Sequence, residues 1–304
     1  MRIVVEATSA LTFDDGSPVR AASAIAPFGD GWLVAQDDAT HAAWWRSETV
    51  TAVRVVEAVD GLEVFSSAAG TKHLKPDFEA ACPVGSGVLL LGSGSTDARM
   101  RGSLVTPGPA FTAADLAPVY HAVADALGIP VAHLNLEGAC RVGDRLRWFQ
   151  RGNAAAGAPT ACVDVDLPAL LAAVTGTGAA GRVAVSAVRR YDLGTVDGVA
   201  LAVTDAVSLS RPVAPGGGSV LVSAAAEDTP NAVDDGPVVA AALALLDDDS
   251  VVATAELPTL PGGLYKIEGL AVADELPDGL RLIAVVDADD PAVPSRQLTL
   301  RLHW

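Results

Sequence analysis

The sequence predicts an all-β fold, a five-bladed β-propeller, with six blades the alternative count. Three observations predict it. One strand–turn–strand unit recurs five times, at intervals of about 56 to 71 residues, enough for four short strands each. The last interval holds only three β-type runs, IEGLAVAD, LRLIAVVDAD and SRQLTLRLHW. An apolar run, RIVVEATSA from Arg2, precedes the first unit and can supply the missing strand. Pairing of these N- and C-terminal strands would close the ring and remove the sheet edges that invite aggregation.

Each unit is a short apolar strand entered by a polar residue, a Gly-rich or Asp-Gly turn, and a second strand ending in small polar residues. The clearest copies are FEAACPVGSGVLLLGSGS from Phe78, LEGACRVGDRLRWFQRGN from Leu136 and IEGLAVADELPDGLRLIAVVDAD from Ile267. SAIAPFGDGWLVAQDDA from Ser23 and VDGVALAVTDAVSL, followed by SVLVSAAAED, are weaker copies. The entry residues are therefore Ser23, Glu79, Glu137, Asp197 and Glu268. The interval opened by Glu137 divides into the runs EGACRV, RLRWFQR, TACVDVD and RVAVSAVRRYDL, one blade.

Runs such as VLLLG and LIAVV are apolar without alternation, which suits sheets covered on both faces. Two segments carry helical spacing: FTAADLAPVYHAVADALGI, with Thr112 as N-cap, and LPALLAAV from Leu167. Both read as insertions between blade strands. With no composition break along the chain, residues 1–304 are expected to form one domain.

Composition narrows the function classes. Acidic residues number 37 against 20 basic, a formal net charge of −17 that repels phosphate backbones and anionic membranes. The cations are nearly all Arg, with Lys only at 72, 75 and 266, a bias expected of a GC-rich bacterial genome. The N-terminal residues lack a run apolar enough for a signal peptide or a span, so a cytoplasmic location is expected. Cys82, Cys140 and Cys162 form no C-x-x-C pair and read as small buried apolar residues. There is no G-x-S-x-G elbow, P-loop or dinucleotide fingerprint, and the five His are scattered without metal-ligand spacing.

In a propeller the innermost strand of each blade lines the central channel, so the entry residues form a ring. Two residues earlier, on the same side of the strand, stand Asp77, Asn135, Thr195 and Lys266. Two readings follow. Converging carboxylate and amide oxygens suit a hard cation such as Ca²⁺, with Asp77, Glu79, Asn135, Glu137, Asp197 and Glu268 as ligands. Alternatively, each acid accepts hydrogen bonds from backbone N–H groups of the next blade and staples the ring.

The second strands end in a further polar set: Gln36 and Asp37, Ser93 and Ser95, Gln150, Arg151 and Asn153, Glu227 and Asp228, Asp287 and Asp289. Regular strand polarity gathers these on one rim, where Arg99 and Arg151 would face the acids. Lys75 and Lys266 lie close before a ring acid and either pair with it or donate to a ligand. The ligand-binding set is thus Glu79, Glu137, Asp197, Glu268, Arg151, Lys75 and Lys266. Glu137 and Glu268 are the catalytic candidates if the channel supports a reaction.

The runs LNLEGACRVGDRLRWFQRGN, VDGVALAVTDAV, AAAEDT with DDGPVVAAAL, and YKIEGLAV with VVDADDPAVPSRQL resemble a family of bacterial propellers without an assigned activity. That family is distantly similar to the esterase-like phytase and SdiA-regulated propellers, in which an E-G pair opens an inner strand. The resemblance implies Ca²⁺-assisted phosphoester hydrolysis by analogy. This chain departs from it at Ser23, and at Ala80 where other copies have Gly.

The expected function is binding of a small polar ligand or a divalent cation in an acidic funnel, by a monomer without nucleic-acid or membrane partners. Metal-assisted hydrolysis of a phosphoester, ester or lactone is the alternative. An interaction scaffold using the rim or the inserted helix near Asp115 is the third.

Overall fold

A computed structural model describes residues 1–108, 110–152, 157–213, 218–228, 236–260, 263–287, 290 and 292–304. After an initial strand β1 (Arg2–Ala10), the chain builds five antiparallel sheets in turn. Blade 1 comprises β2 (Ala22–Phe28), β3 (Gly31–Gln36), β4 (His41–Arg46) and β5 (Thr49–Arg54). Blade 2 comprises β6 (Phe78–Val84), β7 (Gly87–Gly92), β8 (Arg101–Thr106) and β9 (Ala110–Asp115). Helix α1 (Ala117–Leu127) leads to blade 3: β10 (Leu136–Val142), β11 (Arg145–Gln150), β12 (Ala161–Asp166) and β13 (Val185–Arg190), with α2 (Leu167–Val174) inserted before β13.

Blade 4 comprises β14 (Thr195–Val196), β15 (Val199–Val213), β16 (Gly218–Glu227), β17 (Val238–Leu246) and β18 (Val251–Glu256). Blade 5 comprises β19 (Ile267–Leu276), β20 (Gly279–Val286) and β21 (Arg296–His303), with β1 as its outermost strand. β2, β6, β10, β15 and β19 each touch the inner strands of both neighbouring blades, closing a five-bladed propeller. β1 pairs with β21 from Arg2↔His303 to Ala10↔Arg296, the closure expected from the sequence.

Five apolar clusters fill the five interfaces between blades, and they explain the unbroken apolar runs. On β7, Val88 and Leu90 face blade 1 while Leu89 and Leu91 face blade 3. On β20, Leu282 and Ala284 face blade 4 while Ile283 and Val285 face blade 1. Alternation persists in direction, but both directions lead into a core. The cysteines are free and buried in these interfaces, as expected. No helix among the described residues is long and apolar enough to cross a membrane.

Two local expectations need correction. Thr112 is not a helix cap, because it sits in β9 opposite Leu104. FTAAD completes blade 2 instead, α1 starts at Ala117, and the Asp115 carboxylate accepts the Ala117 N–H at 2.7 Å. The α1 end at Gly128 has φ +71°, the left-handed conformation that glycine takes without strain. α2 spans the residues expected and is capped by Asp166, which accepts the Ala169 N–H at 3.0 Å.

The second correction concerns Asp197, which is exposed at the tip of a hairpin and not in the ring. Thr195 pairs with Ala200 and Val196 with Val199, leaving Asp197 (φ +49°) and Gly198 (φ +83°) as a two-residue turn. Asp-Gly is the favoured pair for such a turn, and in this sequence it imitates an E-G strand entry.

Candidate functional site

Register identifies the ring directly. Every inner strand carries a bulge against its second strand, at Ser23, Glu79, Glu137, Thr204 and Glu268 in turn, and β15 and β19 have a further register shift each, between Ser208 and Val213 and between Val272 and Asp274. A bulge re-aims its extra residue. Thr204 therefore holds in blade 4 the place expected for Asp197, and it donates a hydrogen bond to Ser223 Oγ at 2.9 Å.

The residue after the bulge decides how closely blades approach. A Cβ on Gly138 would lie 2.2 Å from Ala206 N and 2.5 Å from Asp205 Cα. A Cβ on Gly269 would lie 2.8 Å from Ala24 Cα. In the E-G pair the Glu serves the channel and the Gly lets two backbones meet. Gly138→Ala is expected to cost about 1–3 kcal/mol, read from chemical denaturation, since backbone cannot rotate away as a side chain can. A variant as stable as wild type would contradict that contact.

Staples exist, but on other residues than expected. Ser23 Oγ donates to the Phe78 carbonyl at 2.5 Å, joining blades 1 and 2. Asp205 accepts the Leu270 N–H at 2.6 Å, joining blades 4 and 5, and the Ala206 N–H at 2.7 Å. Burial pushes the Asp205 carboxyl well above the usual range despite these bonds. Gln36 and Gln150, each last in a second strand, accept the N–H of Arg20 and of Asn135 at 2.9 and 3.0 Å.

The ring acids instead join two mixed-charge clusters at one rim. In the first, the Lys75 ammonium bridges Asp37 and Asp77, and Arg99 lies 3.2 Å from Asp77, which Ser93 also contacts. The carboxylates of Asp37, Asp77 and Glu79 all lie within 4.8 Å of one another. In the second, Arg151 bridges Glu137 (3.1 Å) and Glu227, and Lys266 bridges Glu227 and Glu268 (both 3.1 Å). Asn135 donates to Glu137 at 3.0 Å. Each cluster has three acids and two cations, leaving a formal excess of negative charge.

The structure thus brings together Lys75, Asp77, Glu79, Asn135, Glu137, Arg151, Lys266 and Glu268, adds Asp37 and Glu227 from the rim set, and leaves out Asp197 and Thr195. Asn153 and Asp289 lie outside the described residues.

Burial shapes the protonation of these groups. It drives Glu79 well above the usual carboxyl range, and the neighbouring Asp77 and Asp37 charges add to it. Burial lifts Glu268 to about 7, with Lys266 pulling the other way. Burial alone would lower Lys75, but Asp37, Asp77 and Glu79 overrule it and hold the ammonium above its ordinary value.

These shifts set the sign of a pH effect. A carboxyl raised on folding binds its proton more tightly in the native state, so its stabilisation is complete below the unfolded value and disappears as pH rises through the folded one. The melting temperature is expected to fall between pH 4.5, the ordinary value of a glutamate carboxyl, and about 7, with Glu268 contributing through that window. Glu268→Gln should flatten the decline. A rising melting temperature across the window would contradict the assignment.

A family profile matches residues 71–291; it is described as a family of unknown function, DUF6910. The chain belongs to that family. The DUF6910 stretch takes in both charged clusters except Asp37, and leaves outside it Ser23 and the closing strand β1. No curated protein matches the sequence. Among solved structures, the WD40 domain of Neurospora crassa Pan2 is similar at 9% identity over 98% of this chain and 95% of that one, with a TM-score of 0.40. At that level the likeness does not bear on function.

Proposed function

We propose that the channel mouth binds a small cationic ligand, a divalent cation foremost, with Glu79, Asp37 and Asp77 as its first contacts. Glu79 carries this reading. It is the one ring acid with neither a hydrogen bond nor an ion pair among the described residues, although it is half-buried beside two further carboxylates. A cation between the three would relieve their mutual repulsion and supply the missing partner. Three carboxylates provide part of the six to eight oxygens that Ca²⁺ takes, water supplying the rest. The Lys75 ammonium already bridges two of them, so an incoming cation competes with it and binding should be weak and selective for higher charge.

Calorimetric titration with Ca²⁺ and Mg²⁺, combined with melting curves, tests the proposal. Saturable binding that raises the melting temperature of wild type, and is lost in Glu79→Gln, is the expected result. No response to any cation, or an equal response in the variant, would remove its basis.

Hydrolysis assisted by such a cation, the activity implied by the phytase resemblance, gains support from Glu268, whose carboxyl near 7 suits proton transfer. Turnover of a phosphoester or lactone by wild type with Ca²⁺, and its loss in Glu268→Gln and Glu137→Gln, is the expected result for that reading. Equal turnover in all three proteins would eliminate it.

A further inference from the structure

Outside the channel, blade 1 holds a second cavity of about 370 Å³ between the segment after β1 and the excursion that follows β5. Its wall is divided by chemistry. Phe13 and Val64 give apolar surface, and Arg20, Gln36, Asp38 and His41 give polar surface. Val64 is 44% exposed, among the most exposed large apolar side chains of the described residues. An unpartnered apolar residue at the edge of a concave site is a common feature of ligand pockets.

The polar groups are unevenly satisfied. Gln36 spends both ends of its amide internally, accepting from Arg20 N–H and donating to the His41 carbonyl at 3.0 Å. Asp38 Oδ2 receives the Arg20 guanidinium at 2.9 Å, whereas Asp38 Oδ1 is buried without any hydrogen bond from the described residues. The His41 ring lies 5.8 Å from the Phe13 ring, and its nitrogens have no hydrogen-bond partner among the described residues. Burial lowers the His41 pKa and so favours the uncharged ring, which does not repel a cation. An unfilled carboxylate acceptor, a neutral imidazole and an aromatic face side by side are complementary to one chemistry, an ammonium on a compact apolar body.

We propose that this cavity is a second binding site, distinct from the channel mouth, for a small organic amine. Its ammonium would donate to Asp38, and its apolar part would lie between Phe13, His41 and Val64.

The probe is 2-phenylethylamine, titrated into the full chain, with 2-phenylethanol and phenylacetate as uncharged and anionic controls. Proton NMR of the His41 imidazole reports on occupancy. The amine is expected to saturate and to shift the His41 resonances, with both controls binding at least about tenfold more weakly, as loss of a charge-assisted bond requires. Asp38→Asn should weaken the amine by a similar factor. If Asp38→Asn fails to fold, Val64→Ser on the exposed edge should weaken amine binding without altering the melting temperature. Glu79→Gln should leave amine binding intact while abolishing any Ca²⁺ response, which separates this site from the channel. No saturation, equal binding of the alcohol, or loss of binding in Glu79→Gln in place of Asp38→Asn would overturn the assignment.

Discussion

A chain lacking residues 1–10 is expected to lose its cooperative unfolding transition and to self-associate. β1 supplies the outer ladder of blade 5, and without it β21 becomes a long edge with free N–H and C=O groups. The loss reaches inward as well. Ile3 is buried with Leu298, Leu300 and Leu302 in the apolar cluster shared by blades 4 and 5, and Gln297 donates to Ser9 Oγ at 2.9 Å. Beyond β1, Leu11 N–H bonds the Ser295 carbonyl, so the segment that covers the blade 5–blade 1 interface would lose its anchor too. Circular dichroism melts and gel filtration report both effects. A truncated chain that melts as sharply as the full one, at the same temperature, would show that β1 is dispensable to the ring.

The second large effect is expected at Arg147, the most buried cation of the described residues. Its guanidinium makes bonds of 2.9 and 3.2 Å to the two oxygens of Asp164, directly opposite on β12, and reaches Asp248 of blade 4 at 2.9 Å. Arg189 completes the group at 2.9 Å from Asp164. Arg147→Ala leaves a largely buried carboxylate with half its partners and cuts the tie between blades 3 and 4, at an expected cost of about 3 kcal/mol in denaturant unfolding. Arg147→Met combined with Asp164→Leu removes both charges and should recover most of that loss, because apolar residues of similar size tolerate the site. If the double variant is no better than the single one, packing and not charge is the reason Arg147 matters.

Much of the fold was legible because each blade repeats the same physical problem. VLLLG and LIAVV have no polar face because both faces of those sheets are covered, and RIVVEATSA stands alone because its partner is at the other end of the chain. Blade 4 broke the reading. There the inner strand runs from Val199 to Val213, and the entry residue, Thr204, lies well inside it. The Asp197–Gly198 turn that precedes it looks the same in sequence as an acid followed by glycine.

The candidate site was legible in its residue types and less so in its pairings. Lys75 and Lys266 stand out in a chain that otherwise prefers arginine, and both prove to bridge acids. That Asp205 staples blades 4 and 5 depends on inter-strand register, which local spacing does not encode. Arg147 did leave a trace: RLRWFQ carries Arg145 and Arg147 two residues apart and ACVDVD carries Asp164 and Asp166 at the same spacing, the pattern of cross-strand pairs, and the register sets Arg147 opposite Asp164 and Arg145 opposite Asp166.

The pairing of β1 with β21 also constrains the order of events on the ribosome. Residues 2–10 leave the exit tunnel well before their partners at 296–303, which follow only after four blades have been made. Throughout that time β1 is an apolar strand without a mate. Its Glu6, and the bulge between Val5 and Ala7, interrupt the flat edge it would otherwise present to a neighbouring nascent chain. Slowing synthesis of blades 2 to 4 should therefore lower the yield of soluble protein more than slowing that of blade 5.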